Sequence, residues 1–90
     1  MDDHTIDALD LRRRRAAYRC AHRGTKEMDI MLGRYAEATL QSLVDPELTR
    51  FERFIQLPDP ELQGWLLNAT GDPALEFADL IENVRRFHGL

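Results

Sequence analysis

The residue types that most often carry chemistry are scarce in this 90-residue chain: it has one cysteine, one tryptophan and three histidines. A lone Cys20 excludes an intramolecular disulfide and fits a reducing compartment. His4, His22 and His88 are too scattered to suggest a site, and Cys20-Ala21-His22 offers two metal ligands without a second pair. The sequence contains neither a phosphate-cradling glycine loop nor a nucleophile elbow. Catalysis, a resident metal and a stably bound cofactor are therefore not expected. No apolar run approaches the roughly 20 residues that a membrane span requires. The opening Met1-Asp2-Asp3-His4 is acidic and reads as neither a secretory signal nor an Arg-rich transit peptide, so a cytoplasmic location is the expectation.

What is present is ordinary globular composition, 43% hydrophobic and 31% charged. At this length one core and one domain are expected over residues 1–90, with residues 1–6 as a flexible N-terminus. A net charge of -4 conceals an asymmetry. Residues 1–26 carry seven Lys or Arg against four acids, and the remainder carries five against twelve. The early bases all fall between Arg12 and Lys26 with no acid among them, which implies a positive face beside a negative body. The run Arg12-Arg13-Arg14-Arg15 reads either as a solvated face or as a set of phosphate contacts.

Periodicity is helical throughout. Leu9, Ala16, Ala17 and Cys20 share one side of a helix over residues 7–22, while Arg12, Arg15 and Arg19 share another. Met28, Met31, Leu32, Tyr35, Ala36, Leu40 and Leu43 recur at three and four, predicting one long helix over residues 25–43. Three further starts share a pattern: Asp45-Pro46-Glu47-Leu48, Asp59-Pro60-Glu61-Leu62 and Asp72-Pro73-Ala74-Leu75. In each, the Asp is expected to cap, the Pro to sit at the first helical position and the Leu to open an apolar stripe. The stripes are Leu48, Phe51, Phe54 and Ile55; Leu62, Trp65 and Leu66; and Leu75, Ala78, Leu80, Ile81 and Val84. The fold expected is an all-α, compact bundle of five short-to-medium helices, with Tyr35, Phe51, Phe54, Trp65 and Phe77 in the core. Trp65, beside Gly64, can also present its ring at a protein surface.

The junction His22-Arg23-Gly24-Thr25-Lys26-Glu27-Met28-Asp29 holds more charge than a turn requires. Gly24 suits a positive-φ stop after the first helix, Thr25 suits the cap of the second, and Glu27 and Asp29 suit its positive end. Arg23 and Lys26 are left over. An exposed Arg23 and Glu27 on either side of a sharp turn would form a rigid, two-sign patch for a complementary protein surface.

The run Arg23-Gly24-Thr25-Lys26-Glu27-Met28-Asp29 resembles the Arg-Gly-x-x-Glu signature, continued to an Asp, of the succinate dehydrogenase assembly factors that promote covalent flavin attachment. The likeness extends through Arg15-Ala16-Ala17-Tyr18-Arg19, Met31-Leu32-Gly33-Arg34-Tyr35, Phe51-Glu52 and Asp59-Pro60-Glu61-Leu62 to Trp65-Leu66, over about residues 9–87. It departs at Gln56-Leu57-Pro58, commonly more acidic, and at Thr25, where Met is frequent. The resemblance implies a helical chaperone, not an enzyme. Such a protein is monomeric when free and binds the flavoprotein subunit of succinate dehydrogenase, in some bacteria that of fumarate reductase. There it favours the autocatalytic linkage of FAD to a histidine of that client. It further implies that Arg23, Gly24, Glu27 and Asp29 face the client. An antitoxin-like or other protein-binding module and a small nucleic-acid-binding domain are the alternatives.

Overall fold

A computed structural model describes residues 7–73 and 75–90, and the expectation of a flexible segment over residues 1–6 lies outside them. Five α-helices follow one another: α1 (Ala8–Ala21), α2 (Lys26–Thr39), α3 (Glu47–Ile55), α4 (Asp59–Leu66) and α5 (Ala78–Phe87). Short 3-10 turns at Leu40–Ser42 and Leu75–Phe77 follow α2 and precede α5. No strand occurs among the described residues, so the all-α bundle stands as read from periodicity.

α1 and α2 form an antiparallel hairpin. Asp7 caps α1 by accepting the Leu9 N–H at 3.1 Å, and Ala16 and Cys20 are its buried residues. Gly33 lets the two backbones approach: a Cβ added there would lie 3.3 Å from the Ala21 Cα. At the far end, the Arg13 Nε donates to the Leu43 carbonyl at 3.0 Å, tying the start of α1 to the chain beyond α2. The expected long second helix therefore ends early, at Thr39, and continues as a tighter turn whose Leu40 is still buried.

The core lies where α2 meets α3, α4 and α5. Met28, Leu32, Leu48, Phe51, Phe54, Leu62, Leu66 and Val84 are fully buried there. At roughly 1.5 to 3 kcal/mol for each such side chain, this burial is the main favourable term of folding. Phe51, Phe54 and Phe77 are core as expected, whereas Tyr35 and Trp65 are only partly buried and pack against its edge. Long polar side chains tie the ends together. The Arg85 Nη1 donates to the Leu66 carbonyl at 2.7 Å, the His88 Nε2 lies 2.7 Å from the Met31 carbonyl oxygen, and the Arg50 Nη1 donates to Asp79 at 2.6 Å.

All three Asp-Pro starts differ from expectation. α3 begins at Glu47, so Pro46 stands just before the first helical position, and Asp45 accepts the Thr49 N–H further into the helix. α5 begins at Ala78, after the 3-10 turn, so Asp72-Pro73 lies several residues ahead of it. Leu75, expected in its stripe, is 93% exposed, because the turn points it away from the face that buries Phe77. Asp59 is the first residue of α4 but makes no capping bond, since an arginine from elsewhere in the chain occupies its carboxylate.

Candidate functional site

The link between α1 and α2, residues 22–25, is bonded from both sides. Gly24 takes φ +121°, which an L side chain rarely adopts, and nothing lies within 4 Å of where its Cβ would be. The corner therefore needs glycine for its backbone, and leaves open space outside it. Thr25, in extended conformation, caps α2 by accepting the Met28 N–H at 3.3 Å. Asp29, one turn into α2, accepts the backbone N–H of Arg23, so the α2 side of the corner bonds back to the α1 side. Lys26 and Glu27 sit in the first turn of α2, both exposed.

Arg23 corrects the sequence reading. Its side chain is only 11% exposed, and its guanidinium points into the molecule. The Nε and Nη2 both donate to the Asp59 Oδ1, at 2.9 and 2.7 Å, Nη2 donates also to the Leu57 carbonyl at 3.1 Å, and Nη1 donates to the Ile55 carbonyl. Ile55 is the last residue of α3, where backbone carbonyls lack helical partners and a cation is favoured. One side chain thus closes the end of α3, fastens the α3–α4 link and fixes the corner against both. The patch of exposed Arg23 and exposed Glu27 does not exist: Glu27 and Gly24 face solvent, while Arg23 and Asp29 hold the corner from within.

The arginine run divides in the same way. The Arg12 guanidinium bridges Asp45 at 2.8 Å and Glu52 at 2.7 Å, and Arg13 pairs with Asp10 at 2.8 Å. Arg14, Arg15, Arg19 and Lys26 are exposed, without an ion pair among the described residues. A feature that sequence reasoning missed lies beside them. The Tyr18 and His22 rings stack at 4.0 Å with planes 22° apart, and the His22 Nδ1 lies 2.8 Å from the Tyr18 carbonyl oxygen. Their four-residue spacing was the available signal.

Cys20 is buried, and desolvation pushes its thiol up to about 12, well above the range in which thiolates attack. Among the described residues, no three His, Cys, Asp or Glu side chains are placed to hold a metal. Nor is any helix long and apolar enough to cross a membrane. The arrangement suits recognition: a stiff backbone corner with an exposed carboxylate, flanked by exposed cations and a stacked aromatic pair.

The chain is similar to known proteins over most of its length. The family model described as flavinator of succinate dehydrogenase matches residues 14–88. The FAD assembly factor SdhE of Acetobacter pasteurianus is 47% identical over 60 residues, covering 67% of this chain and 55% of that protein. The mitochondrial succinate dehydrogenase assembly factor 2 of Dictyostelium discoideum is 27% identical over 71 residues, covering 79% and 50%. SdhE of Acinetobacter baylyi is 29% identical over 84 residues, covering 92% and 98%. The chain thus spans about half the length of the first two relatives and nearly all of the third. No solved structure matches it.

Proposed function

This chain belongs to the flavinator of succinate dehydrogenase family, and from that membership we propose that it is an assembly factor which binds the flavoprotein subunit of succinate dehydrogenase and promotes covalent attachment of its FAD. It does so in the cytoplasm, as a monomer when free, without catalysing the step and without a flavin of its own; the flavoprotein subunit of fumarate reductase is a second client. The observation that carries the reading is the immobilised corner. Arg23 makes four side-chain hydrogen bonds to α3, α4 and their link, so Gly24 and Glu27 are presented on a backbone with little freedom left to lose. A preordered contact binds without the entropic cost of ordering a loop.

Binding assists the client only through differential affinity. A chaperone that grips the conformer in which histidine and flavin are aligned raises the population of that conformer, and one that grips all conformers equally changes nothing. Glu27 offers a carboxylate for charge-assisted bonds to the client, and Gly24 lets the client's surface approach the backbone. Arg23 and Asp29 serve as positioning residues behind them. Nucleic-acid binding is the weaker reading, because Arg12, Arg13 and Arg23 are engaged in ion pairs within the chain, which leaves only four of the seven early bases for phosphates.

The test is in-gel fluorescence of covalent flavin in the client, in cells with and without this protein. Loss on deletion and recovery with the wild-type chain are expected. Glu27→Ala should fail to restore the signal while keeping the helical circular-dichroism spectrum. Normal flavin attachment in the deletion strain would remove the proposal.

A further inference from the structure

Seven basic residues between Arg12 and Lys26 were the strongest charge signal in the sequence, and the corner uses only one of them, Arg23, turned inward. Arg12 and Arg13 are also turned inward. On the outward side of α1, Arg15, Tyr18, Arg19 and His22 recur at three and four residues, which places them in one line on the helix surface over two turns, about 10 Å. All four are exposed. Tyr18 is 65% exposed, more than any other aromatic side chain described, yet its ring is stacked on His22, which is in turn held to the Tyr18 carbonyl. An exposed aromatic that is already ordered is suited to anchor a contact. Arg15 and Arg19 stand one helical turn apart beside it, with no ion pair among the described residues on a chain of net charge -4.

The line also runs into the corner. Tyr18, Arg19 and His22 form one wall of an open depression of about 470 Å³ whose other sides are Arg23, Ile55 and Gln56. A partner resting on Gly24 and Glu27 therefore meets this depression next. We infer that Arg15, Tyr18, Arg19 and His22 form a second docking element, which holds an acidic, surface-exposed segment of the flavoprotein client; this rests on the assembly-factor reading above. Charge complementarity selects the occupant: two exposed guanidiniums one turn apart match carboxylates on an extended or helical segment, and the aromatic pair beside them packs on its aliphatic parts. A nucleic-acid duplex fits less well, because the line is two turns long and is followed at once by the exposed Glu27.

The test uses the purified flavoprotein subunit and measures its dissociation constant at several salt concentrations. Arg15→Glu with Arg19→Glu should keep the wild-type melting temperature and spectrum, weaken binding roughly tenfold or more, and flatten the dependence of affinity on salt. Tyr18→Ala should weaken binding, and Tyr18→Phe should restore it. Arg34→Glu, which alters net charge as much as Arg15→Glu does but from α2, should bind as wild type does. If the double variant binds the flavoprotein as the wild type does, with the same salt dependence, the inference is overturned while the assembly role stands. If the wild-type chain does not bind the flavoprotein, both fall. Tighter binding of a fluorescent duplex than of the flavoprotein, abolished by the double variant, would reassign the line to nucleic acid and overturn the inference as well.

Discussion

On the side of α1 that faces α3, Arg12 places its guanidinium among Asp45, Thr49 and Glu52, with five hydrogen bonds between 2.7 and 3.1 Å, and just past the helix Arg23 does the same with Asp59 and two carbonyls. On the outward side, Arg15 and Arg19 pair with no described residue. The residue type is the same and the roles are opposite. What separates them is the turn of the helix on which each falls and what the third and fourth helices offer there. Inward arginines tie helices together, Arg23 at the corner and Arg12 against α3, and outward ones remain for a partner. The comparison makes a sharp demand: substitutions on the inner side should register in stability, and those on the outer side in binding.

The largest effect is expected at Arg23. Arg23→Ala leaves the Asp59 carboxylate without its cation and strips two carbonyls of a donor in a region from which water is mostly excluded, at a cost of about 2 to 4 kcal/mol. Against a total stability of roughly 5 to 10 kcal/mol for a chain of this size, that loss should be plain in urea unfolding. Asp59→Asn, which keeps an acceptor oxygen, should lose less. If Arg23→Ala unfolds at the wild-type urea concentration yet abolishes flavin attachment, the guanidinium must be reaching outward to the client, and the division between the two sides collapses.

Gly24 comes next and lies on the boundary. Its φ of +121° makes Gly24→Ala cost about 1 to 3 kcal/mol through backbone strain alone, since the added methyl meets no atom within 4 Å. Gly24→Arg should cost a similar amount of stability, because the strain is the same, and yet should block the client far more, because its bulk projects into the space a partner would occupy. Thermal melts paired with flavin attachment separate the two terms. Equal loss of attachment in both variants would mean that Gly24 matters only to the fold.

Much of this was legible in the chain, and the rest was not for reasons that can be named. Gly24 and Thr25 declared a stop and a start because turn and cap preferences are local. The stripe Met28, Met31, Leu32 and Ala36 declared a buried face because helical period alone determines it. Asp59 misled because Asp-Pro-Glu-Leu is a sound capping pattern judged locally, whereas the demand that captured the carboxylate comes from Arg23, 36 residues earlier. Leu75 misled because a 3-10 turn with three residues per repeat carries it off the face that α5 continues. Arg23 itself carried the correct motif and the wrong direction. Sequence spacing marks a residue as special, but whether a guanidinium points in or out depends on carbonyls that only the packed α3–α4 link brings within reach.

The smallest effect lies at Asp45, and its interest is its sign. Hydrogen bonds from Arg12, and then from Thr49, hold the Asp45 carboxyl well below the usual carboxylate range. A carboxyl whose folded pKa is depressed stabilises the fold above its unfolded value of about 3.9, and loses that contribution as pH falls through the lower folded value. Asp45→Asn removes the charge but keeps an oxygen that can still accept the Thr49 N–H, made at 3.1 Å in the wild type. The melting temperature of this variant should therefore sit slightly below wild type at pH 7, and the gap should narrow only below about pH 4, where the carboxyl takes up its proton in the unfolded chain before it does so in the folded one. Combined with Arg12→Ala, the substitution should cost almost nothing further at neutral pH, since its main partner is already gone. A gap that stays constant into acid would mean that Asp45 acts through its shape at the start of α3 and not through its charge, and the electrostatic part of Arg12 in the fold would then rest on Glu52 alone.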